Sequence, residues 1–175
     1  MTDLAAMLIA FTNNITSSAW GLLWALGALF GVVLLGLIIS RFASANSGVP
    51  GANHVGLFEV FGLAIVSVFL FNFATSLNMI VQTGGLEEAT FGAVSYSGAE
   101  GMGELTAVVN AALTLATIAG GIFSFKGWIG LLKAFKPGGG DHVYSSVTHI
   151  LFGGALVVIP QLIEIFGASL GLAWS

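Results

Sequence analysis

Four long apolar runs, separated by shorter polar stretches, set the layout of the chain. The first extends from about Ser18 to Ser40, and the second from about Val55 to Leu77 with Glu59 and Asn72 inside it. The third begins near Leu105 and continues past Lys126 to Leu132. The fourth runs from about Ser145 to Leu172, with Pro160, Gln161 and Glu164 in its second half. Each is long enough for a helix of the roughly 20 apolar residues that a bilayer crossing needs. A buried soluble core accounts for one such run but not for four in a chain of 175 residues. Ahead of the first run, Leu4, Met7, Leu8, Phe11 and Ile15 recur at helical spacing beside Thr12, Asn13 and Asn14. That segment reads either as an amphipathic helix at the membrane interface or as an early extension of the first span. The pattern predicts an all-α integral membrane protein whose four transmembrane helices form two hairpins. It is one membrane domain, with residues 1–82 as the first hairpin and its N-terminal segment, 83–104 as a Gly-rich acidic loop, and 105–175 as the second hairpin.

The two halves repeat one another. Pro50-Gly51-Ala52-Asn53-His54-Val55 in the first connection resembles Pro137-Gly138, two further glycines and Asp141-His142-Val143 in the second. Upstream, Gly27, Phe30, Arg41 and Phe42 match Gly120, Phe123, Lys133 and Phe135. Pro and Gly break the first helix of each half, and Asn53 or Asp141 is placed to cap the next. Because each half crosses twice, the repeat is parallel, unlike the inverted repeats of many transporters.

Composition supports a lipid solvent: 57% of residues are hydrophobic and 7% are charged, against about 25% charged in a typical soluble domain. Without cysteine there is neither a disulfide framework nor a thiolate metal site. The three histidines have no ligand spacing, and no metal or other cofactor is expected apart from structural phospholipid. Four basic residues are too few for a nucleic-acid footprint, and sequence-specific nucleic-acid binding is not expected. MTDLAAMLIAF has no Lys or Arg before its apolar stretch and lacks the charged region of a secretory leader. No nucleophile elbow, phosphate loop or His/Glu zinc pattern occurs, so enzymatic activity is not expected.

Charge sets the expected orientation. Arg41, Lys126, Lys133 and Lys136 flank the two short connections, whereas Asp3, Glu87, Glu88, Glu100 and Glu104 lie on the opposite side. The positive-inside bias makes both Pro-Gly connections cytoplasmic and turns the termini and the acidic loop outward. Glu59 and Lys126 are ionisable groups at membrane depth and form a candidate polar pair, within one molecule or between neighbours. The plainer reading is that Lys126 snorkels and Glu59 sits at the wet interface. Pro160, Gln161 and Glu164 mark a kink with two polar side chains, read as a water-accessible seam or as interfacial placement. His54 and His142 read as structural, and His149 as an interhelical hydrogen-bonding residue. Small residues predict close helix packing: Ala112, Ala116, Gly120 and Ser124 recur every four residues, and Gly27/Gly31 and Gly167/Gly171 form GxxxG pairs.

Length, four runs and the texture of GGGDHVYSSVTHILFGGALVVIPQLIEIFG resemble the small inner-membrane proteins of type IVB secretion and IncI-type conjugation systems, the IcmC/DotE and TraQ family. Each half also resembles a conjugative pilin hairpin, although typical pilins have one hairpin and a cleaved leader. The resemblance implies a self-assembling structural subunit of a conjugation or secretion apparatus in a bacterial inner membrane, and extrusion as a lipid-associated pilus. Its implied partners are copies of itself, phospholipid and other apparatus subunits, with Arg41, Lys126, Lys133 and Lys136 meeting lipid headgroups. The alternatives are an inner-membrane channel component, a small transporter, and a rotary-ATPase proteolipid-like subunit. The last would want a carboxylate near mid-membrane, and Glu59 and Glu164 lie nearer the two faces.

Overall fold

The computed structural model describes residues 2–46, 56–96, 99, 104–135 and 141–171. The regular elements among them are six helices: α1 (Thr2–Asn46), α2 (Leu57–Phe71), α3 (Phe73–Thr83), α4 (Glu104–Ala134), α5 (Asp141–Val157) and α6 (Ile159–Ser169). Two are long and apolar enough to cross a membrane, over Ala5–Ala43 and Leu105–Ala134. The number rises to four if each of the bent pairs α2–α3 and α5–α6 is one span. The N-terminal segment is the early extension of the first helix, because α1 continues unbroken through it. The Pro-Gly connections and Lys136 lie outside the described residues.

The second and fourth runs were expected as single helices. The chain instead turns by 99° between α2 and α3, and by 76° between α5 and α6. At the first break Asn72 takes φ −115°, ψ 58°, and local polar groups replace the lost ladder. Ser76 Oγ donates to Phe69 O at 2.6 Å, Ser76 N donates to Asn72 O, and Thr75 Oγ1 donates to Asn72 Oδ1. At the second break Val158 precedes α6, and Pro160 stands in the first turn of α6. Proline has no N–H to give Leu156 O and its ring collides with that carbonyl in a continuing helix, yet it suits a first turn.

Each long helix packs against the helix that follows it, and glycine sets the distance in both halves. A Cβ on Gly27 would stand 2.6 Å from Leu70 O, and one on Gly31 would stand 2.8 Å from Phe71 N. Ser67 Oγ crosses the same seam to Gly31 O at 2.8 Å. A Cβ on Gly120 would stand 2.7 Å from Gly153 O, Leu156 Cβ and Val157 N. Gly27 and Gly120, aligned in the sequence repeat, thus both meet the last turn before a break. The repeat is visible as a long helix returning into a broken one, twice.

The halves join through aromatic rings. Phe125 of α4 meets Phe30 of α1 and Phe73 of α3 edge-on at 5.9 and 5.4 Å, and Phe69 of α2 stacks on Trp128 of α4 at 4.6 Å. Trp20 of α1 is almost wholly buried and lies over Gly121 of α4.

Polarity is distributed inside out. Thr12, Thr16, Ser67, Ser76, Thr114, Thr117, Ser124 and Ser146 are buried. Large apolar residues of the same helices face outward, with Met7 68%, Phe11 55%, Ile39 68%, Phe61 66% and Phe152 68% exposed. Small hydroxyl residues admit close backbones, and several bond a carbonyl one turn back, as Thr12 does to Leu8 O and Thr16 to Thr12 O. Such interiors suit helices whose surroundings are as apolar as leucine, and the apolar helices are compatible with a membrane protein.

Candidate functional site

Three features carry the chemistry of the molecule: an ion pair at one end, the helix seams, and a strap over the breaks at the other end. Arg41, near the end of α1, pairs with Glu59 in the first turn of α2. The antiparallel return of α2 along α1 brings these residues together, and a carboxylate in a first turn also faces the positive end of the helix dipole. The candidate pairing of Glu59 with Lys126 is not made within the chain. Lys126 points outward from α4, as does Lys133. Of the four residues proposed to meet headgroups, Arg41 is engaged internally, Lys126 and Lys133 are exposed, and Lys136 lies outside the described residues.

The four-residue stripe on α4 is only half a seam. Gly120 and Ser124 are buried against α5, but Ala116 is half-buried and Ala112 is exposed. A step of four residues advances 400° around a helix of 3.6 residues per turn, so four members drift by about 120°. The actual seam bends back by a step of three: Gly120, Ser124 and Gly127 meet Gly153, Ile150 and Ser146. Gly167 is buried, but Gly171 takes φ 71° beyond the end of α6, and among the described residues nothing lies within 4 Å of a Cβ there. It terminates a helix instead of packing one. His149 likewise serves its own helix, donating from Nδ1 to Ser145 O at 2.6 Å beside Phe123.

The acidic loop is a packed strap. Between residues 86 and 99, Ala89, Val94, Tyr96 and Ala99 are buried. Their backbone polar groups find side chains: Ala89 N–H donates to Asn78 Oδ1 of α3, Val94 N–H to Thr114 Oγ1 of α4, and Tyr96 N–H to Asn110 Oδ1 of α4. Thr106 Oγ1 donates back to Ala99 O. Phe91 inserts beside Trp20 and Trp24 at 4.9 and 5.8 Å. Gln161 Nε2 of α6 reaches Glu88 O at 3.4 Å. Buried irregular backbone needs partners from the protein, and Asn78, Asn110 and Thr114 provide them. Trp20, under the strap, stands 21 residues from Arg41 along α1, about 32 Å at 1.5 Å per residue, close to the ~30 Å of a hydrocarbon core.

Sequence reasoning did not single out Asn78, Asn110 or Thr114. Their signal was weak but present: carboxamides and hydroxyls at one end of otherwise apolar helices, facing a Gly-rich segment without regular structure. Among the described residues, no group of three or more His, Asp or Glu converges as a metal cluster. No family model, curated protein or solved structure matches this chain.

Proposed function

We propose that this chain is a lipid-embedded structural subunit that assembles with copies of itself. Its apparatus would be a conjugation or secretion machine of the type IVB and IncI kind that its sequence resembles, most concretely as a lipid-associated pilus subunit in or extruded from a bacterial inner membrane. The observation that carries this reading is the inside-out surface. Only 28% of the most apolar window of α1 and 33% of that of α4 is buried. Leu22, Leu29, Val32, Val33 and Ile39 are exposed on several sides of α1. A surface of this kind exceeds what a lone chain leaves open to water, and acyl chains and neighbouring copies are the partners that suit it. Exposed Lys126 and Lys133, with Lys136, are the residues assigned to headgroups. The seams, the strap and the ion pair hold one subunit together, a structural and not a catalytic use of polar groups.

A channel or transporter component is the second reading, favoured by the two broken helix pairs, since discontinuous helices recur at transport sites. Cross-linking in native membranes separates the two. Single cysteines at Leu29 and Val33 should yield a ladder of homo-oligomers, and sheared surface material should contain the protein as filaments. Monomer-only cross-linking, with uptake of a small solute that depends on the chain, would transfer support to the second reading.

A further inference from the structure

A cavity of about 230 Å³ opens between α1 and the strap. Trp20, Trp24 and Phe91 wall it, Asn13 and Ser17 stand exposed on its α1 side, and Gly92 lies on its strap side. The rings brace one another: Phe91 meets both indoles edge-on at 4.9 and 5.8 Å, and the indoles are 6.5 Å apart. Trp20 is 1% exposed, yet its Nε1 has no hydrogen-bond partner among the described residues. The far edge of its six-membered ring rests on Gly121 of α4. The pyrrole edge that carries Nε1 is therefore turned away from α4, and the cavity has no α4 residue in its lining. An indole N–H only donates, so the missing piece is an acceptor. Charge limits what that acceptor brings. The described basic residues lie elsewhere: Arg41 is bound to Glu59 at the opposite end of the molecule, and Lys126 and Lys133 are in the half of α4 leading to that end. Glu87 and Glu88 are exposed in the strap itself. An oxyanion in this cavity must carry its own cation.

We propose that this cavity binds the head group of a zwitterionic phospholipid, its phosphate oxygens accepting from Trp20 Nε1, Ser17 and Asn13 and its ammonium lying against the Trp24 ring. Aromatic faces attract ammonium groups, more strongly where water is excluded. A short linker joins the phosphate and the ammonium of such a head group, which suits donors and ring faces held this close together. The level in the membrane is also right: Trp20 lies about one hydrocarbon thickness from Arg41, and indoles at that level sit among head groups. Leu35, about five whole turns beyond Ser17, is exposed on the same side of α1, and Ala28 lies between them. An acyl chain thus has an apolar path leading away from the cavity. An anionic lipid would meet Glu87 and Glu88 with no cation to offset them. The proposal rests on the lipid-embedded reading above and adds which class of lipid is held at this end, and by which residues.

The test titrates the full chain in dodecyl maltoside separately with phosphatidylethanolamine, phosphatidylcholine and phosphatidylglycerol of identical acyl chains, and counts bound lipid by native mass spectrometry. Each zwitterionic lipid should saturate a site that Trp24→Leu weakens about fivefold and Asn13→Ala/Ser17→Ala weakens about fivefold or more. Gly92→Leu should block the same site: among the described residues nothing lies within 4 Å of a Cβ there, so the side chain has room to enter the cavity without displacing the strap. Trp20→Phe keeps a ring, removes the N–H and should weaken binding as well; if it fails to fold, the exposed Trp24 and Asn13/Ser17 positions carry the test. Phosphatidylglycerol binding should be unchanged in all these variants, whereas Lys126→Ala/Lys133→Ala should lower it and leave the zwitterionic lipids unaffected. Zwitterionic binding that survives both Trp24→Leu and Asn13→Ala/Ser17→Ala, or an equal loss of phosphatidylglycerol in them, would overturn the proposal. The copy number in the same spectra reports self-assembly separately: monomers that keep the site count against the assembly reading alone, and oligomers that lack it count against this proposal alone.

Discussion

Replacing Gly120 with alanine adds one methyl group inside the close seam between α4 and α5. The new Cβ would stand 2.7 Å from Gly153 O, Leu156 Cβ and Val157 N, whereas carbon contacts are at ease at about 3.5–4.0 Å. Two of the three obstacles are backbone atoms, so no rotamer change relieves them, and the helices must separate by nearly 1 Å. A gap of 0.5–1 Å forfeits about a quarter to a half of each dispersion well of ~0.1–0.2 kcal/mol. For a seam of on the order of 20 close atom pairs, that is a loss of about 0.5–2 kcal/mol, overlapping the range of about 1–3 kcal/mol for overpacked cores. Alanine also gains up to about 1 kcal/mol over glycine in helix propensity, which partly masks the loss. Gly36→Ala isolates that gain, because among the described residues nothing lies within 4 Å of a Cβ there. Unfolding by SDS titration, followed through the buried Trp20 and Trp128, should place Gly120→Ala about 1–3 kcal/mol below Gly36→Ala. Gly27→Ala, its counterpart in the repeat, should behave like Gly120→Ala. If Gly120→Ala is as stable as Gly36→Ala, the close seam is wrong.

Three further outcomes are expected. Thr114→Val removes the acceptor for Val94 N–H and should cost about 1–3 kcal/mol as an unsatisfied buried group, with faster hydrogen exchange confined to residues 89–96; unchanged exchange there would count against the strap. Glu59→Gln should cost only on the order of 0.5–1 kcal/mol, because Arg41 is 39% exposed and the pair is partly solvated, and added salt should shrink the difference in the unfolding titration. Single cysteines at Ser47, Ser95 and Ser175 report orientation: an impermeant outer reagent should label Ser95→Cys and Ser175→Cys but spare Ser47→Cys, and the reverse pattern would invert the proposed topology.

The helical class and the two long apolar helices were legible from hydrophobic run length alone. So was the correspondence of Gly27 with Gly120, because a parallel repeat places equivalent glycines at equivalent seams. The bend near Pro160 had a local chemical cause that the sequence displays. The bend at Asn72 did not, since one carboxamide within an apolar run reads equally well as an interhelical hydrogen-bonding residue. Its cause is cooperative, involving Ser76 and Thr75 together. Within the chain Glu59 pairs with Arg41 and not with Lys126, because depth along a helix does not specify the neighbour. Hairpin geometry does, and the short connection between α1 and α2 brings Arg41 to it. The sequence shows this segment only as a Gly-rich acidic loop turned outward, because the partners that pack it, Asn78, Asn110 and Thr114, lie 11 to 20 residues from the groups they bind. Local composition shows that these polar residues are there but not which groups they pair with.

Native mass spectrometry of the protein released from its own membranes in mild detergent bears on the proposed function at its core. Assemblies of several copies retaining phospholipid are expected, with lipid retention reduced in Lys126→Ala/Lys133→Ala while helix content is unchanged. A lone chain that carries no lipid under conditions that preserve other membrane complexes would contradict the proposal that this is a self-assembling, lipid-embedded subunit.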